Sequence, residues 1–427
     1  MIEARRPVGA ALVAGGMIMA AVPAVAQLLP PDESIRFFRY TPVRERMTTG
    51  YEVPGLPIGN FTLSPAVEVT GNATDNIFAL EDDEQGDVFV GVTPSVQLAA
   101  SSSNRSVNLS VDGTLTRYAR NPTENLNAVS VSGYGTQDLG GQMRVRLLGR
   151  FRTNRESRES QNAFALTRRP IAFSEATGGV ALSKRLGSIL IAGEAGLQRY
   201  NYRDGQLRSG GELDQDYRDG TIRSVRGRAD VIQSAAVAYF LQGSYTSSSY
   251  AQLSSLGVQR GAKTTEFLAG ARFELPILAR GEIGLGYITS AYRDGDFRQF
   301  SALAVNSRVL FFPSQLTTVT VNAVRSVNDA GTPDSSTYVA LIGGIQVDHE
   351  LLRSLIVSAS FQYERDRFNG VDRRDGRSNL TASADYRLNR NYSLRVSADR
   401  LDLSSTGQAR YKSLTRDRIL VGLGVRI

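Results

Sequence analysis

From Ile419 to Ile427 every second residue is apolar: Ile419, Val421, Leu423, Val425 and Ile427. Leu420, Gly422, Gly424 and Arg426 fill the positions between them. Successive side chains of a strand point to opposite faces, so this segment reads as a strand with one greasy face and one small or polar face. The same alternation recurs back to about residue 60, with charged residues on the second face. In hydrocarbon every backbone polar group needs an internal partner, and strands meet that demand only in a closed ring. A chain of strands that are apolar on one side and ionised on the other is therefore expected to form a transmembrane barrel, oily outside and polar inside.

Eighteen alternating sets are legible, from Leu63, Val67 and Val69 to the terminal strand. The sparsest are Val180 with Leu182, and Val225 with Ala229 and Val231. Connections alternate in length. Asp138 to Gly141, Lys184 to Ser188, Phe312 to Gln315 and Leu388 to Asn391 are short; Gly71 to Gly86, Thr153 to Ser174, Arg203 to Thr221, Ser247 to Gly261 and Ser404 to Arg416 are long. Outer-membrane barrels have short periplasmic turns and long extracellular loops, and an even strand number. Phe151, Tyr245 and Tyr363 fall near the outer ends, and Phe311, Tyr386 and Tyr392 near the inner ends, where aromatic belts sit. The fold class predicted is all-β: an antiparallel up-and-down transmembrane barrel of about 18 strands. A soluble sandwich seldom needs so many long strands. A propeller would show a repeat of about 40–50 residues.

The N-terminus supplies a route to that membrane. Arg5 and Arg6 precede an apolar stretch from Val8 to Ala21, and Ala24-Val25-Ala26 fits a small-residue cleavage site. Residues 1–26 thus read as a secretory signal peptide. Residues 27–58 hold Pro30, Pro31, Pro42, Pro54 and Pro57 with little alternation, and read as a periplasmic linker or small plug; residues 59–427 are the barrel. No later apolar run reaches the length of a helical span. The 17 Tyr and 17 Phe suit strands and interfaces, and the absence of Cys removes disulfides and thiolate sites. The net charge of +7 does not gather into a basic run or helix, which argues against nucleic-acid binding.

From about Gly50 onward the chain resembles the putative β-barrel porin 2 family of bacterial outer-membrane proteins. The resemblance rests on Ile58-Gly59-Asn60-Phe61-Thr62-Leu63-Ser64-Pro65, Asp75-Asn76-Ile77-Phe78, the segment from Val347 to Arg353, Leu388-Asn389-Arg390-Asn391, and the segment from Arg416 to Leu423. It implies an outer-membrane barrel, a place in exopolysaccharide export, and partners among outer-membrane lipid, the barrel assembly machinery and polysaccharide-export components. Ile419, Val421, Leu423, Val425 and Ile427 would be the C-terminal assembly signal. Such barrels often end in Phe, whereas this chain ends in Ile427.

Catalysis is not expected. The single His349 falls in the short connection from Asp348 to Ser354, and adjacent Asp348 and Glu350 cannot complete a nucleophilic triad by themselves. One His and no Cys leave no zinc-type metal site, and no cofactor is expected. The acidic run Glu81, Asp82, Asp83 and Glu84 with Asp87 lacks the EF-hand pattern and reads as a solvated loop. Gly281, Gly284 and Gly286 lie inside a strand and precede no helix, so they are not a nucleotide loop.

The polar faces carry the functional signal. Arg144, Arg146, Arg150 and Arg152 share one face of one strand; Arg226, Arg228, Glu266, Arg272, Asp385, Arg395, Asp399 and Arg418 continue the pattern on others. Such charges are costly in a dry core, and a water-filled lumen removes that cost. The expectation is a pore for polar solutes with a mild preference for anions, against cross-barrel ion pairing with no preference. The alternative is a non-conducting structural or adhesive barrel acting through its extracellular loops. Oligomeric state stays open.

Overall fold

The computed structural model describes residues 41–46, 50–161, 163, 167–275, 279–295 and 297–427. The signal segment and the first part of the linker lie outside the described residues. The first described elements are a 3-10 turn at Val43–Glu45 and a short strand β1 (Leu56–Ile58). Next come β2 (Phe61–Thr74), β3 (Asp87–Ser101), β4 (Arg105–Tyr118), β5 (Leu126–Gly140), β6 (Met143–Arg155), β7 (Ala172–Leu186) and β8 (Ile189–Tyr202). Two three-residue strands, β9 (Gly205–Leu207) and β10 (Gly211–Leu213), form a hairpin of their own. The remaining strands are β11 (Gly220–Ile232), β12 (Val237–Tyr250), β13 (Ala262–Leu275), β14 (Ala279–Tyr292), β15 (Phe300–Ser314), β16 (Thr317–Asp329), β17 (Thr337–Leu352), β18 (Leu355–Phe368), β19 (Arg374–Arg387), β20 (Tyr392–Thr406) and β21 (Leu414–Arg426).

Each strand from β2 to β8 and from β11 to β21 pairs antiparallel with its neighbours, and β8 pairs with β11 across the small hairpin. The ring closes where β2 meets β21, from Ala66 against Arg426 to Thr74 against Arg418. β1 only folds back on the start of β2, which leaves eighteen strands in the barrel. All eighteen alternating sets become strands, the two sparse ones included as β7 and β11.

The apolar sets stand exposed on the outer surface: Leu241 at 67%, Phe267 at 63% and Val225 at 59%. A water-soluble monomer rarely shows so continuous an apolar surface; a lipid-facing wall requires it. The strands run 13 to 16 residues. A tilted strand needs about 9–11 residues to cross the hydrocarbon, so the ladders continue beyond it. Alternation carries on there with polar side chains, which is why several strand ends extend past the apolar sets. His349 is one correction. It lies within β17, not in a turn, because pairing continues through Glu350 opposite Ile356. Turns at the short end depend on residues that tolerate positive φ: Gly140 (84°), Gly141 (55°) and Gln142 (59°) reverse the chain between β5 and β6.

Candidate functional site: the lumen and the segments folded into it

The inner face is a lattice of ion pairs. On β6, Arg144 meets Asp138 of β5 at 2.5 Å, and Arg152 donates from Nε to Glu175 of β7 at 2.8 Å. Arg146 stands in register between Thr136 and Ala181, and Arg150 between Ser132 and Thr177, with Arg150 exposed to the lumen. Arg226 lies 3.2 Å from Glu194 on β8. Arg228 holds both Asp230 and Glu282 at 2.9 Å, and Arg272 shares Glu282 at 3.1 Å. Glu266 sits in register with Ser244 and Ile288. Arg395 meets Asp385 at 2.6 Å and approaches Glu68 to 3.7 Å; Arg418 meets Asp399 at 2.9 Å.

Glycines and one aromatic ring make these reaches across strands possible. Arg228 on β11 spans β12 and β13 to reach Glu282 on β14. Its guanidinium carbon lies 3.9 Å from the Phe240 ring centre, and that ring occupies the space a side chain at Gly270 would fill. Glu68 and Arg395 approach over β21, where Gly422 leaves the room: a Cβ there would lie 3.3 Å from the Glu68 carboxylate.

Segments enter the lumen from both ends. At the short-turn end, Val43 is buried, and its N–H donates to the Thr318 hydroxyl at 3.0 Å. Arg44 donates to Asp348 at 2.6 Å and to Ser358 at 2.7 Å, and lies 3.3 Å from Asp385. Arg46 meets Glu350 at 2.9 Å and Glu45 meets Arg280 at 3.3 Å. Residues 41–46 are thereby pinned against the wall from β14 to β19.

At the long-loop end, the segment from Glu156 to Ile171 leaves β6 and contacts the far side of the ring. Arg158 is buried against Glu124, with Nη2 donating at 2.8 Å and Nε at 3.0 Å, and it also donates to Thr167 at 2.9 Å. Arg373 donates to the Gln161 carbonyl oxygen at 2.9 Å, Gln161 donates to Asp366, and Arg416 meets Glu159 at 2.7 Å. Lys412 donates to the Arg158 carbonyl oxygen at 2.5 Å. A β-bridge between Thr167 and Leu207 ties this segment to β9, and Arg208 of the next loop lies 4.6 Å over the Phe78 ring on the loop after β2. Both loops cross the bore at this end.

Sequence reasoning identified the wall arginines but missed Arg44, Glu124, Arg158, Gln161, Glu282, Asp366 and Lys412. Their partners lie up to 341 positions away, as Asp385 does from Arg44, and no local pattern marks them. The acidic run after β2 does not converge. Glu81 pairs with Arg410 at 2.5 Å, while buried Asp87 accepts from Asn121 at 2.9 Å. His349 Nδ1 lies 2.9 Å from the Thr317 hydroxyl.

A closed ring with an oily exterior, an ionised interior, short turns at one end and folded loops at the other defines an outer-membrane β-barrel of the porin type. The chain belongs to the putative β-barrel porin 2 family, whose model matches residues 49–427. Its place is the bacterial outer membrane. No curated protein compared with the chain matches it. Solved structures similar in shape include the siderophore receptor PirA from Acinetobacter baumannii, at 8% identity and TM-score 0.45, covering 86% of this chain and 80% of that one. OpdK from Pseudomonas aeruginosa, crystallised with vanillate, gives 10% identity and TM-score 0.44, covering 86% and 99%. The FrpB iron transporter from Neisseria meningitidis gives 9% and 0.44, covering 85% and 81%. At these values the likenesses say nothing of what this chain carries.

Proposed function

We propose that this barrel is a pore for uncharged or zwitterionic polar solutes, and that it serves exopolysaccharide export. The observation that carries the reading is the matched lining: Arg144, Arg152, Arg226, Arg228, Arg272, Arg395 and Arg418 each have a carboxylate within 3.2 Å or less. A wall of alternating sign presents many hydrogen-bonding groups and little net field. Pairing therefore opposes the anion preference that the arginine count suggests. Saccharides fit such a wall, and the export role rests on that chemistry together with the family resemblance. A transport rather than catalytic role is supported by His349, which shares the outward face of β17 with lipid-facing Val347, near the short-turn end and away from the lumen carboxylates.

The alternative, a non-conducting structural or adhesive barrel, draws on the loops that cross the bore. Liposome swelling separates the two. Vesicles carrying the protein should admit neutral oligosaccharides faster than empty vesicles; rates equal to those of empty vesicles would favour the blocked barrel. Loss of polymer secretion on deletion of the gene, with synthesis intact, tests the export role.

A further inference from the structure

The outer face of the hairpin formed by β18 and β19 breaks the rule that governs the inner face. Arg367 and Arg374 stand directly opposite each other in the ladder, and both are exposed. Arg365 lies one step along on the same face, opposite Gly376. Like charges facing across a ladder destabilise it. Yet among the described residues none of these three arginines has a carboxylate in ion-pair range. The contrast is sharp on one strand end: inward-facing Arg373 is matched with Asp375 at 2.6 Å, while its outward neighbour Arg374 is not. Arg325 on β16 extends the row, since its ladder partner Leu341 also faces Arg365.

Height along the barrel explains what could balance this charge. Below Arg365 the outer face of β18 reads Leu355, Val357, Ala359, Phe361 and Tyr363. Eight residue rises cover about 27 Å along the strand, or about 20 Å of height at a tilt near 40°. The guanidinium groups therefore begin where the hydrocarbon ends and lipid headgroups start. Beside them, on the same face, is a cleft of about 360 Å³ lined by Tyr363, Gly376, Ser378, Asp402 and Ser404. Of its three acids two are matched: Asp402 lies 3.5 Å from Arg400 and Glu81 2.5 Å from Arg410, while Glu84 lines the cleft without an ion pair among the described residues.

We propose that Arg365, Arg367 and Arg374 bind the phosphate groups of an outer-leaflet glycolipid, whose acyl chains run down over Phe361 and Leu380. Guanidinium forks match phosphate oxygens bidentately, and a shared anion converts the repulsive Arg367–Arg374 pair into a clamp. A soluble anion would have no use for the apolar wall directly below.

The test uses the full chain in zwitterionic detergent, with phosphorylated lipid A, dephosphorylated lipid A and inorganic phosphate as probes. Thermal unfolding and native mass spectrometry are the readouts. Phosphorylated lipid A should raise the unfolding midpoint and remain bound, with at least tenfold weaker binding to R367Q/R374Q and partial retention by R367K/R374K. Without lipid, the glutamine variant should unfold at the same temperature or higher, because a repulsion is gone. Equal binding by the glutamine variant, equal stabilisation by dephosphorylated lipid A, or equal stabilisation by inorganic phosphate would each overturn the assignment.

Discussion

The Lys412 ammonium group donates to the Arg158 carbonyl oxygen at 2.5 Å, joining the last extracellular loop to the segment that crosses the bore. Burial pushes the Lys412 pKa down to about 8; Glu159 opposes the shift, and Arg158, Arg377 and Arg373 add to it. A released loop returns the amine to about 10.4. Between those values the released state holds more protons than the docked one. Docking therefore strengthens as pH rises from about 8 toward 10. Single-channel conductance should fall across this window and stay flat in K412M. A rise, or an unchanged profile in K412M, would assign the dependence to another group.

Glu124 and Arg158 are the most deeply buried ion pair of the crossing segment, with side chains 4% and 5% exposed. Removing one partner of such a pair leaves a stranded charge and costs about 3–5 kcal/mol. E124A is expected to release the segment, which limited proteolysis between Arg155 and Ala172 would detect as faster cleavage. E124M/R158M removes both charges and should lose much less. Equal protection of E124A and the native chain would show that the pair does not hold the segment.

Phe240 fills the space over Gly270, where a Cβ would come within 2.6 Å of the ring and clash with the Ile283 carbonyl oxygen. G270V should destabilise the barrel by about 1–3 kcal/mol through overpacking and displace Arg228 from Glu282. The readout is the detergent unfolding midpoint, which an unstrained site would leave unchanged.

The eighteen strands and their facing were legible because a lipid-facing wall forces period-two alternation on every strand. Even β7, marked only by Val180 and Leu182, obeyed it. Strand ends were less legible: beyond the hydrocarbon both faces are polar, so the signal fades while the ladder continues, as at His349. The bore was illegible. The long connection around Arg158 was visible as a loop, but its inward course depends on Glu124, Asp366 and Arg416, whose spacing in the chain carries no motif. The same holds for Arg44, which finds Asp348 and Asp385 only once the ring has closed.

Arg44 gives the short-turn end its own test. R44A removes the contacts to Asp348, Ser358 and Asp385 together. The 41–46 segment should detach, and conductance should rise with no change in the unfolding midpoint of the barrel. Unchanged conductance would mean that this segment does not narrow the mouth.

Arg150 is exposed to the lumen, and Arg146 shares its face. R146Q/R150Q should move ion preference toward cations without unfolding the barrel. Reversal potentials under a salt gradient measure it, and a shift toward anions would contradict the inward placement of these groups.

Planar-bilayer conductance of the purified chain, compared with a variant whose residues 157–169 are replaced by a short glycine–serine turn, tests the central claim most directly. A wet, charge-matched bore narrowed by that segment predicts measurable conductance with a chloride-to-potassium permeability ratio near 1, and a clear increase in conductance in the shortened variant at the same ratio. Silence from both proteins, with correct insertion shown by detergent-resistant folding, would contradict it.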